Sequence, residues 1–157
     1  MQLVVTGHRS AFEQLLERHI DPIHAYAKRI TGSATDADDV AQEVFLKLWQ
    51  KPDRYRPGRV KFTTWLHRVA HNACVDLFRS RDHQVPPAEE AEIQINETPD
   101  IEGAISALPL NQRTAVALCL LGGHSTRDAS RIMRSSPRAV ESLISRARRT
   151  LRQVLQP

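Results

Sequence analysis

Ser125-Thr-Arg-Asp-Ala-Ser-Arg-Ile-Met-Arg134-Ser-Ser136-Pro-Arg-Ala-Val140-Glu-Ser-Leu-Ile144-Ser-Arg-Ala-Arg148 is the stretch on which the fold turns. Ser125 and Asp128 stand at capping-box spacing, which predicts a short helix ending near Met133. Ser136 followed by Pro137 is a helix cap with proline in the first helical position, a strong start signal. Beyond it Val140, Ile144, Ala147, Leu151 and Val154 form one apolar stripe at helical spacing. Arg138, Glu141, Ser142, Ser145, Arg149 and Arg152 oppose that stripe. Two helices joined by two or three residues, the second basic and amphipathic, describe a helix-turn-helix.

Working outward, Gly122-Gly123 ends a helix that Pro109 begins and that carries Val116, Leu118, Leu120 and Leu121; Ile101 to Leu108 forms a short helix before it. Residues 82–100 lose periodicity and hold Pro86, Pro87 and Pro99, which marks a linker. Upstream, Ser10 is expected to cap a helix running through Phe12, Leu15, Leu16, Ile20, Ile23, Tyr26, Ala27 and Ile30 to Gly32, kinked or broken at Pro22. Thr35 and Asp38 have capping-box spacing for a second helix through Val40, Ala41, Val44, Phe45, Leu48 and Trp49, ended by Lys51-Pro52. A polar loop over residues 53–60 leads to a third helix, from about Phe62 to Ser80. Nothing reads as a strand, Leu3-Val4-Val5 being isolated. The expected fold is all-α, with two small helical domains: a three-helix bundle in residues 1–84 and a helix-turn-helix domain in 104–157. An acidic flexible linker, 85–103, joins them.

The chain has 157 residues and is 41% hydrophobic, too apolar for a disordered chain. No run approaches the roughly 18 apolar residues of a membrane span, and the start lacks the features of a secretory signal. Cys74 and Cys119 are too few for a disulfide framework or a four-thiolate metal site. A reducing cytoplasm is the expected compartment. Charge is blocked along the chain: net +3 over residues 1–84, −6 over 85–103 and +7 over 104–157. Two basic segments separated by an acidic one suggest two contacts with a polyanion. A scatter of solvated charges is the plainer account.

The last helix would put its N-terminal face, Ser136, Arg138, Glu141, Ser142 and Ser145, into a DNA major groove. Arg146, Arg148, Arg149 and Arg152 would add phosphate contacts. A helix pair whose arginines serve solubility has the same spacing. In the first half, Arg54, Arg56, Arg59, Lys61, Arg68, Arg79 and Arg81 face one acid, Asp76, and Tyr55, Phe62 and Trp65 interleave with them. Cations with aromatic platforms suit single strands, because every base has a face to stack on. Trp65 is also in phase with Leu66, Val69 and Ala73 as a core residue.

Residues 105–155 resemble the C-terminal promoter-binding domain of extracytoplasmic-function sigma factors of the sigma-70 family. The matching phrases are Ala107-Leu-Pro-Leu-Asn-Gln-Arg113, Ser125 to Met133, and Val140-Glu-Ser-Leu-Ile-Ser-Arg-Ala-Arg148 with Leu151. Residues 11–81 are similar to the N-terminal domain of the same group, through Asp38-Asp39-Val-Ala-Gln42-Glu43-Val-Phe45 with Leu48-Trp49, and Phe62-Thr63-Thr-Trp65-Leu-His-Arg68-Val-Ala-His-Asn72 with Asp76 and Arg79. The resemblance implies that the third helix and its preceding loop seize the minus-ten single strand, with a flipped base held at residues 53–61. It assigns Arg54, Tyr55, Arg56, Arg59, Lys61, Thr63, Trp65, Arg68, Asn72 and Arg79 to that contact, and residues of the last helix to the minus-thirty-five duplex. Asp39, Gln42, Glu43, Phe45 and Trp49 would dock on the clamp helices of the polymerase's largest subunit, and the flap would be a further contact. Promoter DNA, core RNA polymerase and a cognate anti-sigma factor, commonly membrane-anchored, are the implied partners; no small-molecule substrate and no cofactor are implied. Three positions depart from the family pattern: Arg134 where Gly is usual in the turn, Glu141 where Lys is frequent, and Ser130 for a small apolar residue.

His67, His71 and Cys74 have the spacing of metal ligands on one helix face, without an evident fourth. No nucleophile elbow, glycine-rich phosphate loop or paired carboxylate cluster accompanies them, so no enzymatic activity is expected. The acidic linker is expected to run through a basic polymerase channel as a nucleic-acid mimic. Two other readings share these features: a stand-alone helix-turn-helix regulator that binds duplex without polymerase, and a sigma-like interaction module.

Overall fold

The structure, a computed structural model, describes residues 7–81 and 100–156. Leu3-Val4-Val5 and the linker acids Glu89, Glu90, Glu92 and Glu97 lie outside the described residues. Every regular element among those described is helical, and their contacts divide the chain into two units, Met1–Asp76 and Leu77–Pro157.

The first unit begins with α1, Arg9–Thr31, whose N-cap is His8 rather than the expected Ser10. His8 is extended and offers no side-chain cap, so the start carries no polar signature. The helix runs unbroken through Pro22, which sits exposed where water can replace the missing hydrogen bond. It ends at Gly32, left-handed at φ 72°, with the Gly32 N–H on the Lys28 carbonyl. Helix α2, Ala34–Gln50, starts earlier than expected: Ser33 Oγ accepts the Asp36 N–H at 3.2 Å. A single 3₁₀ turn, Pro52–Arg54, leads to the loop before α3, Phe62–Arg81. The apolar stripes converge as the 3.6-residue period requires, burying Ile23, Ile30, Val44, Leu48 and Leu66 almost completely.

Several polar groups within that core are paired, while the buried Thr64 hydroxyl has no hydrogen-bond partner among the described residues. Tyr26 Oη and His71 Nδ1 lie 2.9 Å apart, the His67 ring meets Tyr26 edge-on at 5.5 Å, and His67 Nδ1 donates to the Thr63 carbonyl at 2.9 Å. Burial, aided by the charges of Asp36 and Glu43, pushes the Cys74 thiol up to about 12. Such a thiol stays protonated and inert at neutral pH. Among the described residues, no group of three His, Cys, Asp or Glu side chains is arranged to hold a metal ion.

After the end of α3, the second unit's next described element is α4, Ile101–Ser106, capped by Asp100, whose carboxylate accepts the Glu102 N–H at 3.2 Å. Asp100 and Glu102, read as linker acids, thus begin a helix. Next comes α5, Leu110–Val116, which continues as a π-helical turn over Ala117–Leu121. Leu120 and Leu121, carried on this turn, are 44% and 43% exposed, because the wider turn rotates them out of the α-helical phase. Gly122 then has no room for a side chain, since a Cβ would lie 2.9 Å from the Leu118 carbonyl oxygen.

Helix α6, Thr126–Met133, and helix α7, Pro137–Leu155, open on the expected caps: Ser125 Oγ accepts the Asp128 N–H, and Ser136 Oγ the Ala139 N–H. Ile105, Leu108, Val116 and Ala147 form the centre of this core, with Leu151 against them. Arg134 closes α6 at φ 53°, ψ 50°, the left-handed conformation that favours glycine. The Ser135 N–H reaches back to the Ser130 carbonyl at 2.9 Å, the closing bond of a Schellman turn. Ser130 itself is buried, and its hydroxyl donates to the Arg127 carbonyl at 2.6 Å, so the polar substitution leaves no orphaned atom.

Candidate nucleic-acid and partner surfaces

Helix α7 buries Val140, Ile144 and Ala147 and turns every expected duplex-contacting residue outward: Ser136, Arg138, Glu141, Ser142, Ser145, Arg146, Arg148 and Arg149 are all exposed. A groove of about 570 Å³ runs along part of this face, with Thr126 at the start of α6 across from Ser145, Arg148, Arg149 and Arg152. Short polar groups therefore precede a cationic second half, in the order that base reading followed by phosphate anchoring requires.

In the first unit, helical spacing puts positions 61, 65, 68, 72 and 79 on one side of α3 and its lead-in. Arg68 and Arg79 are exposed there and Asn72 and Trp65 half-buried, whereas Thr63, also exposed, falls on the opposite side of the helix. The loop before α3 carries Arg54, Arg56, Arg59 and Lys61 outward. Beneath it lies an aromatic cluster: Tyr55 meets Phe62 at 5.2 Å and Trp65 at 5.6 Å, and Phe62 stacks near Trp65 at 6.0 Å with 21° between planes. Tyr55, expected as an open stacking platform, is only 9% exposed, and its hydroxyl donates to the Val60 carbonyl at 3.1 Å. The correction has a plain cause, for a ring wedged between two others with its polar tip satisfied has no reason to face solvent. His19 abuts Phe62 edge-on at 5.1 Å, and burial together with the Arg18 charge holds its pKa below the usual value.

A third surface lies between α1 and α2. Asp39, Gln42, Glu43 and Trp49 are exposed on one face of α2, with Glu43 paired to Lys47 at 2.7 Å. Phe45 departs from its expected place on that face: at 4% exposure it forms the floor of a groove of about 1090 Å³, because it shares the phase of Val44 and Leu48. Leu46 is 54% exposed and lines the groove as its open apolar side chain. Sequence reading missed Leu46, although an apolar residue out of phase with its helix's stripe is the signal that marks it. Phe12 from α1 meets Trp49 at 4.9 Å, and His24 Nε2 bonds Asp38 Oδ1 at 2.7 Å across the two helices at the rim. An apolar groove with an acidic and amide edge can receive an amphipathic, basic helical partner.

Comparison with known proteins supplies independent findings. The model of sigma-70 region 2 matches residues 15–84, and that of sigma-70 region 4 matches residues 100–151. The ECF RNA polymerase sigma factor SigM of Mycobacterium tuberculosis is 33% identical over 158 residues, covering 96% of this chain and 80% of the relative. Among solved structures, CnrH in complex with the cytosolic domain of CnrY superposes with a TM-score of 0.76 at 28% identity, covering 98% of this chain and 93% of that one. The sigma factor RpoE in complex with the anti-sigma factor NepR, from Bartonella quintana, shares the fold with a TM-score of 0.78 at 24% identity, covering 93% and 97%.

Proposed function

The chain belongs to the extracytoplasmic-function group of the sigma-70 family, and on that premise we propose that it directs bacterial core RNA polymerase to a specific set of promoters and assists their melting. The observation that carries this reading is the pairing, in one chain, of an exposed polar-then-cationic recognition helix with a separate cationic loop over an aromatic cluster. The first suits duplex and the second an unwound strand. Residues 104–157 bind the minus-thirty-five element through Ser136, Arg138, Glu141, Ser142, Ser145, Arg146, Arg148 and Arg149, and reach the flap. Residues 1–84 bind the minus-ten strand through Arg54, Arg56, Arg59, Lys61, Thr63, Trp65, Arg68, Asn72 and Arg79. Asp39, Gln42, Glu43, Leu46 and Trp49 dock on the clamp helices.

The work is binding and positioning; polymerase supplies the covalent chemistry, and no cofactor enters. CnrH and RpoE are held by CnrY and NepR in their solved complexes, which supports control of this chain by an anti-sigma factor covering the polymerase-docking face. Its place of action is the cytoplasm, where the polymerase resides. Runoff transcription on genomic fragments with purified core polymerase is the test. Specific transcripts that depend on added protein are expected. Duplex binding without polymerase, with no transcript, would replace this reading by a stand-alone regulator.

A further inference from the structure

The loop between α2 and α3 holds a hydrogen bond that spans it. Tyr55 stands at one end, at the close of the 3₁₀ turn, and Val60 at the other, two residues before α3 begins. Between them lie Arg56, Pro57, Gly58 and Arg59, all exposed, with Gly58 left-handed at φ 96°. The Tyr55 hydroxyl donates to the Val60 carbonyl at 3.1 Å, and the Tyr55 ring is clamped between Phe62 and Trp65. Thus a six-residue loop is closed by a side chain anchored in the first turn of the next helix.

We infer that Tyr55 is a positioning residue: its hydroxyl tether to Val60 pre-shapes the Arg56–Arg59 loop to receive an unstacked nucleotide, and the tyrosine itself does not contact the base. This rests on the reading of that loop as the single-strand contact. An untethered loop with a left-handed glycine at its tip samples many shapes, and binding must then meet the cost of ordering it. The tether removes part of that cost beforehand. Arg56 and Arg59, the only loop cations between the two anchor points, benefit together.

Tyr55→Phe tests the tether, because it keeps the ring in its cluster and deletes only the hydroxyl. The first readout needs no nucleic acid. Trypsin cleavage after Arg59, followed site by site by mass spectrometry in the full chain, should accelerate in Tyr55→Phe by the factor one hydrogen bond controls, roughly 2- to 12-fold. Cleavage after Arg127 in the second unit serves as the internal control and should be unchanged. The second readout is anisotropy of a fluorescein-labelled, random-sequence single-stranded 20-mer titrated with holoenzyme. Tyr55→Phe should weaken binding by a factor in the same range, and the Arg56→Ala/Arg59→Ala pair should cost less in the Tyr55→Phe background than in the parent. A purely structural tyrosine would not produce that coupling, and a base-stacking tyrosine would give additive losses.

Unchanged cleavage after Arg59 overturns the inference, as does additivity. If Arg56→Ala/Arg59→Ala has no effect on the 20-mer even in the parent, the loop is not a nucleic-acid contact. The proposed function of the loop and this inference then fall together. Arginine losses that persist beside a silent Tyr55→Phe sink the inference alone.

Discussion

Neighbouring residues 45 and 46 on α2 offer a sharp separation of folding from docking. Phe45 is 4% exposed and Leu46 54% exposed. Fully burying a leucine side chain contributes about 1.5–3 kcal/mol. Since 54% of Leu46 is still open to a partner, its docking is worth roughly 0.8–1.6 kcal/mol, or about 4- to 15-fold in Kd. Leu46→Ala should therefore weaken association with core polymerase by about that factor while leaving Tm nearly unmoved, because the methyls it deletes face solvent in the free protein. Phe45→Ala should do the opposite. Emptying a buried aromatic position costs about 3–5 kcal/mol, a large share of a small domain's stability. Titrating labelled protein with core polymerase, beside thermal unfolding of the same samples, measures both. A Leu46→Ala variant that binds core polymerase as tightly as the parent would refute the docking assignment; one that unfolds as early as Phe45→Ala would refute the burial pattern behind it.

Three further outcomes follow from features away from that face. Gly122→Ala forces a Cβ to 2.9 Å from the Leu118 carbonyl oxygen; overpacking of this kind costs about 1–3 kcal/mol, so the second unit's Tm should fall by several degrees, and an unchanged melt would show that the turn can relax. Cys74 is neutral in the fold, with its pKa raised from 9.0 to about 12, so its contribution is complete below pH 9 and lost as pH climbs from there toward 12. Urea midpoints of the parent should drop more steeply over that interval than those of Cys74→Ala, and parallel curves would count against the burial of the thiol. Arg149→Ala should lower holoenzyme affinity for duplex evenly across sequences and reduce the log–log salt slope by about 0.9, whereas a sequence-selective loss would make Arg149 a reader of bases.

Much of the fold was legible because its signals were local. Ser136-Pro137, Ser125 with Asp128, Gly32 and Gly122-Gly123 each act within one helical turn, and each stands at the end it announced. The misses share a physical cause, which is competition between equivalent signals or a change of period. Ser33 with Asp36 and Thr35 with Asp38 have identical spacing two residues apart, and the sequence contains no reason for the first to win. The π-helical turn breaks the 3.6-residue period that one continuous helix from Pro109 would keep, and it leaves Leu120 and Leu121 partly exposed. Pro22 ends helices on average, yet on an exposed face the lost bond is replaceable by water. For the candidate surfaces, charge and phase correctly put outside the residues of α7 expected to contact duplex. They could not reveal that Tyr55 folds under its own loop, since only the three-dimensional meeting with Val60, Phe62 and Trp65 draws it in.

Arg134 sits at the corner of the helix-turn-helix in a backbone shape that suits glycine better, by about 1 kcal/mol. A glycine codon there would relax the corner and, in the same stroke, erase a cation beside the recognition helix. One side chain thus sets the ease of that corner against a positive charge next to α7. A lineage adapting to warmth has an obvious exchange open to it, with one surface charge as what it would surrender.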